Sequence, residues 1–293
     1  MFSIVLRPLR RTPSYKYSKI EVDDALELAP HLPHNLQKRP PSAPLHRPKL
    51  PFRRIFTRNV LCTFLAHGLF HLHMASFNVL WFLFLSTPRF DPSQPRPRTH
   101  TSQHLPFSFT GGLGLPPRDV GFAIGILGAM GLVMQFGVYS RVTDRVGLVS
   151  AFRYALSVFP VTYLLVAYLA VIPTTSPPPH KADGPWIWIA ITCLLFIQVC
   201  GRTFSLPITQ ILVNNSTPHP SVLGTIHGIS TTVGSGCRTL GPVIWSAIYG
   251  WGLKKGIVGT AWWMLSIEAI VAFGASHLLY EGSGHEIRLD GDP

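Results

Sequence analysis

Residues 60–86 contain no Asp, Glu, Lys or Arg, and five further apolar stretches follow at 120–140, 151–172, 186–213, 222–250 and 257–280. About 20 predominantly apolar residues suffice for a helix to cross the hydrocarbon of a bilayer. Their polar residues do not gather on one continuous face, as they would in a soluble amphipathic helix. Backbone polar groups in lipid must satisfy one another, which leaves the helix as the expected conformation. The chain is therefore expected to be all-α: a polytopic membrane bundle with six transmembrane helices spanning residues 53–281.

The composition supports this. Only 13% of the 293 residues are charged, against roughly 25% in soluble domains, so a soluble enzyme is not the default. Cys62, Cys193, Cys200 and Cys237 all fall in apolar stretches without a C-x-x-C pair. They read as small buried hydrophobes, not zinc ligands. Lys and Arg number 25 against 13 Asp and Glu, an excess that mostly flanks apolar segments. That is the signature of membrane topology, and no nucleic-acid partner is expected.

Residues 1–52 are basic and rich in proline and are expected to be a disordered cytosolic segment; residues 282–293 form a tail. No secretory signal peptide is read ahead of the first helix. Arg53, Arg54 and Arg58 adjoin that helix, and Arg141, Arg145 and Arg153 lie two crossings later. The positive-inside rule then puts both termini in the cytosol. The tandem sequons at Asn214 and Asn215 would face the cytosol unglycosylated. Plasma membrane and vacuolar membrane are both compatible.

The second and fifth helices are rich in glycine. Gly121, Gly125 and Gly128 fall at i, i+4 and i+7; Gly224, Gly228, Gly234, Gly236 and Gly241 punctuate the fifth helix. Small residues on one face allow close helix approach. The pattern suits either generic membrane packing or two three-helix units related as in secondary transporters.

Three segments carry a family resemblance. YSRVTDRVGLVSAFRYAL, residues 139–156, resembles the cytosolic loop motif of the major facilitator superfamily, with Asp144, Arg145 and Gly147 at its core. Ser140 replaces the usual leading glycine, and Leu148 and Val149 replace the trailing basic pair. GRTFSLPITQILVNNSTP, residues 201–218, and LGTIHGISTTVGSGCRTLGPVIWSAIYGWG, residues 223–252, resemble the tenth and eleventh helices of the zinc-induced-facilitator-like and fungal drug-transporter branch. The Arg238-x-x-Gly241-Pro242 ending is the most specific part, and the similarity spans about residues 55–281.

The resemblance implies that the six helices correspond to helices seven to twelve, half of a twelve-helix fold. The first half would be missing, and residues 1–52 would match the central linker. The chain is then either a fragment or truncated gene model, or a unit that pairs with a second six-helix half or with a copy of itself. The implied function is transport of a small-molecule substrate by alternating access, coupled to protons. The alternative is a truncated, non-transporting membrane protein that binds or regulates a partner. No H-E-x-x-H or G-x-S-x-G motif points to an enzyme, and no cofactor is expected.

Ionisable groups within membrane segments are costly and are functional candidates by default. Arg202, Arg238 and Glu268 lie near mid-segment; equal depth makes pairing possible, and the neighbouring fifth and sixth helices favour Arg238 with Glu268. Arg238, with Gly224, Gly228, Gly241, Pro242, Gly121 and Gly125, is assigned to helix packing or an interface. The family arrangement places first-of-three helices at the central cavity, which makes Arg202 the leading substrate contact and favours anionic cargo. His67 and His71, one turn apart on the first helix, share a face, whereas His73 points elsewhere. They suit hydrogen-bonded packing, proton coupling or an incomplete metal site; no metal centre is expected. Asn78 and Gln135 read as helix-to-helix hydrogen-bonding groups. Asp144, Arg145 and Gly147 are expected to form a cytosolic gating latch, the acid accepting from Arg141 or capping the third helix.

Overall fold

A computed structural model describes residues 50–93, 103–284, 286, 287 and 289. The expectations for residues 1–49 and for most of the 282–293 tail fall outside the described residues. Seven α-helices are present among those described: α1 (Arg58–Ser86), α2 (Pro117–Met134), α3 (Ser140–Val146), α4 (Leu148–Val166), α5 (Pro185–Asn215), α6 (Leu223–Lys254) and α7 (Gly259–Ser276). A π turn at Gln135–Tyr139 joins α2 to α3 as one rod. A 3-10 turn at Ala167–Val171 prolongs α4. The outcome is six rods, all-α, where six apolar stretches were expected.

Local chemistry sets the ends. The Thr57 hydroxyl accepts from the Val60 amide and starts α1. Pro117 and Pro185 occupy first-turn positions of α2 and α5, where the missing N–H costs nothing. Gly147, at φ +85°, supplies the left-handed residue that breaks α3 from α4. The last helix ends at Ser276 rather than 280. Arg153 takes the carbonyls of Ser276 and Leu279 at 3.2 and 3.0 Å as the chain turns away.

Four rods are long and apolar enough to cross a membrane: Arg58–Ser86, Pro117–Val146, Leu148–Val171 and Pro185–Asn215, with mean hydropathy of 1.4 to 1.8. The α6 rod is diluted by glycine, serine and threonine. The α7 helix has 18 residues and carries Glu268, a length of about 27 Å.

Helix α1 is the hub, packing on α6, α7 and α5, while α4 packs between α5 and α7. Lipid tails are as apolar as leucine, so helix association rests on close packing and hydrogen bonds. Aromatic rings fill the centre: Phe77 stacks on Tyr163 at 5.6 Å and meets Trp262 edge-on at 6.0 Å. Glycines bring backbones together. A Cβ at Gly241 would lie 2.7 Å from the Leu72 carbonyl oxygen, and one at Gly201 would lie 3.1 Å from the Ala155 carbonyl oxygen.

The two ends of the bundle are distinct. At one, Leu50, Ile55, Val60, Val213 and Ile226 form an apolar cluster that Ile287 and Leu289 cover. At the other, backbone bonds tie the loops: Ala182 to Leu113 at 2.8 Å and Val258 to Phe109 at 2.9 Å. The segment entering α1 and the segment leaving α7 therefore lie at the same end.

Candidate functional site

A set of polar side chains crosses the bundle interior, starting from the three histidines of α1. The rings of His67 and His71 meet edge-on with centroids 4.4 Å apart. His67 bridges two other helices: its Nδ1 lies 3.2 Å from the Thr209 hydroxyl on α5, and its Nε2 lies 3.3 Å from the Ser230 hydroxyl on α6. The absence of a side chain at Gly234 makes room for both rings. Arg238 lies within electrostatic reach of both.

His73 belongs to a second group. It is fully buried, and its Nδ1 is 2.9 Å from the Tyr163 hydroxyl on α4. Gln198 of α5, also fully buried, lies beside Tyr163 without a well-formed hydrogen bond to either of its polar atoms. Glu268 of α7 and Arg202 of α5 are both within electrostatic reach of the same hydroxyl. Both carboxylate oxygens of Glu268 are buried and form no hydrogen bond. Arg202 is half-buried and lines a groove of about 300 Å³ between α2 and α5, with Gln135, Gly128, Gly131 and Thr203.

The expected Arg238–Glu268 pair is not formed; no ion pair joins them. Arg238 flanks the α1-facing stripe of Gly234 and Gly241, is exposed, and donates to Ser235 of its own helix at 3.1 Å. Glu268 instead lies within electrostatic reach of Tyr163 on α4 and of Cys237 on α6. Equal depth fixes height along a helix but not direction around its axis.

Among the packing residues, Gly241 lies against Leu72 and Ser76, and Pro242 sits half-buried inside α6. Gly121, Gly125, Gly224 and Gly228 have nothing within 4 Å of where a Cβ would be. Their faces are open. Gly68 shares the α1–α6 contact, meeting Val233. Asn78 is exposed and does not join helices, whereas the Gln198 and Asn59 amides are fully buried.

At the proposed cytosolic end, Asp144 and Arg145 are exposed, and neither forms an ion pair among the described residues. Arg141 donates to the Gly137 carbonyl of its own rod, and no side chain caps α4. The expected acceptor contacts of Asp144 are thus not made. Arg153 is the residue that ties helix ends together here. No cluster of three or more His, Cys, Asp or Glu suited to a metal occurs among the described residues.

The sequence matches the family model of the Major Facilitator Superfamily over residues 3–242. The chain belongs to the Major Facilitator Superfamily. The matched stretch begins before α1 and ends at Pro242, inside α6. Among curated members, the chain is 31% identical over 217 residues to the major facilitator superfamily multidrug transporter mfsB of Aspergillus fumigatus, covering 74% of this chain and 33% of that protein. It is 25% identical over 170 residues to the major facilitator-type transporter psiT2 of Psilocybe cyanescens, covering 56% of this chain and 32% of that protein. The psiT2 of Psilocybe cubensis matches to the same extent. The chain thus spans about a third of the length of these superfamily relatives. Its membership and its apolar rods make it an integral membrane protein.

Proposed function

We propose that this chain forms six helices of a transporter that moves a small solute by alternating access, coupled to protons, and works with a second six-helix unit. The observation that carries the reading is Arg202, an ionisable side chain on an apolar rod that lines a groove instead of being sealed in a packed core. Charged groups at membrane depth that face a cavity mark solute pathways. The open glycine faces of α2 and α6 support a second unit, because close-packing surfaces of this kind have no contact within the chain. The relatives named as transporters add to the case. The orientation that fits has Arg53, Arg54, Arg58, Arg141, Arg145 and Arg153 in the cytosol, with the plasma or vacuolar membrane as the site.

The test is uptake into liposomes holding the purified full chain, under an imposed pH gradient, with anionic, neutral and cationic fluorescent solutes. Expected is gradient-driven uptake by a dimeric species that Arg202→Ala abolishes without affecting insertion. Persistent monomers with no uptake of any solute would leave a non-transporting membrane protein that binds or regulates a partner.

A further inference from the structure

The segment that enters α1 turns cations and aromatic rings outward. Phe52 is 62% exposed, Arg53, Arg54, Phe56 and Arg58 are exposed with it, and the two rings meet edge-on with centroids 5.3 Å apart. The segment is fixed from beneath. Ile55, only 2% exposed, is buried in the apolar cluster with Val60, Val213 and Ile226, and the Leu50 amide donates to the Ser221 hydroxyl at 3.3 Å. None of the three guanidiniums forms an ion pair among the described residues. Glu281, at the same end, accepts instead from the Asn215 amide at 3.5 Å. The sequence supplies no nearer acid: no Asp or Glu occurs between Glu27 and Asp91, and Lys38, Arg39, Arg47 and Lys49 precede the three arginines.

The order of residues along α1 matches one leaflet of a bilayer. Arg58, Leu61 and Leu65 fall at i, i+3 and i+7, so they share a helix face, and all three are exposed. The leucines stand about 4.5 and 10.5 Å above the arginine along the axis. Leucines against acyl chains therefore put Arg58 at headgroup depth. Phe52 and Phe56, beside Arg53 and Arg54, join apolar rings to cations as segments lying in a membrane interface do. A guanidinium at that depth with no acid beside it is complemented by a lipid phosphate or carboxylate, which it can hold through two parallel hydrogen bonds.

We infer that residues 52–58 form a docking surface for anionic phospholipid. The three arginines hold the headgroup oxygens, and Phe52 and Phe56 insert among the upper acyl carbons. In the orientation proposed above this surface meets the cytosolic leaflet, where anionic phospholipids carry the negative surface potential. The surface acts whether or not the chain moves a solute.

The test is equilibrium binding of fluorescent short-chain phosphatidylserine to the delipidated full chain in neutral detergent, with matched phosphatidylcholine as control. Phosphatidylserine should bind more tightly, and the preference should shrink as salt screens the arginines. That readout needs no variant. Arg53→Gln, Arg54→Gln and Arg58→Gln should each weaken phosphatidylserine binding about fivefold and leave phosphatidylcholine unchanged. Phe52→Ser with Phe56→Ser should weaken both lipids alike. Arg118→Gln, an exposed arginine at the opposite end, should change neither. Equal binding of the two lipids, retention of the preference in the triple arginine variant, or an equal loss in Arg118→Gln overturns the inference. So does displacement of the lipid by inorganic phosphate at equal concentration, which would leave an anion site with no use for acyl chains. A triple variant that loses self-association while keeping its lipid preference would give the surface to a second copy, and also overturns it. Lipid preference without liposome uptake would remove the transport reading alone; uptake without lipid preference would do the reverse.

Discussion

Gly234 lies directly against His67: a Cβ at position 234 would stand 2.9 Å from the imidazole Nε2, closer than side chains ordinarily approach. The contact sets how near α6 comes to α1, and so whether Ser230 can reach the same nitrogen. Gly228, on the same helix, faces open space. Gly234→Leu should therefore push the helices apart and lower stability by about 1–3 kcal/mol, as overpacking generally does. In the monomer, where no second unit covers its face, Gly228→Leu should stay within about 0.5 kcal/mol, like other substitutions away from packed features. Thermal unfolding in detergent compares the two. A cost at 228 equal to that at 234 would contradict the packing described.

The His73–Tyr163 hydrogen bond is fully buried and joins α1 to α4. Removing one partner leaves the other unsatisfied, at a cost of about 1–3 kcal/mol. Tyr163→Phe and His73→Leu should each destabilise by that amount. The double variant should cost less than the sum, because the orphaned group is then gone. Chemical unfolding of the four forms gives the coupling energy; strict additivity would mean that the bond contributes nothing.

The rods were readable in the sequence because apolar length is a local property. Their ends were less so. The expected stop at residue 140 was overrun to Val146 because the π turn at Gln135–Tyr139 carries the helix onward without a break. The His67–His71 adjacency was also readable, since i and i+4 share a face on any helix. The Tyr163 partner of His73 was not, because the two lie 90 positions apart and no spacing rule connects them. The same gap explains the Arg238–Glu268 expectation. Sequence places both near mid-rod, yet only the packing of α6 on α1 and of α7 on α4 decides which way each side chain turns.

At the end of the bundle opposite Arg58, Lys181 donates to Asp119 at 2.8 Å and lies 3.8 Å from Asp183. The Asp119 hydrogen bond raises the lysine pKa above its ordinary value. A cation with a raised folded-state pKa contributes fully below its unfolded value and is lost as pH climbs through the folded one. The tie between the 172–184 loop and α2 should thus hold at neutral pH and release only in the alkaline range above the usual lysine value. Acylation of Lys181 by a membrane-impermeant amine reagent, read peptide by peptide across pH, reports it. Asp119→Asn should move the reactivity profile to lower pH; an unmoved profile would mean the contact is not kept in solution.

The sidedness of the bundle can be tested at Asn214 and Asn215. Both sit at the end of α5, the same end as Asn59: the Asn59 amide nitrogen and the Asn215 carbonyl both lie close to Gly282. The hydroxyls of Ser216 and Thr217 are buried and donate to the Val213 carbonyl at 2.9 and 3.5 Å. The three arginines at 53, 54 and 58 belong to this end, which the orientation proposed above puts in the cytosol. Glycan transfer occurs on the opposite side, so the chain expressed in eukaryotic cells should show no mass loss on enzymatic deglycosylation. Thr174→Asn, which creates an Asn-Thr-Ser acceptor over residues 174–176 in the far-end loop, should be glycosylated in the same cells. The reverse pattern would invert the orientation while leaving the helix packing intact, because the packing of Leu50 near Leu289 requires only that both segments emerge on one side.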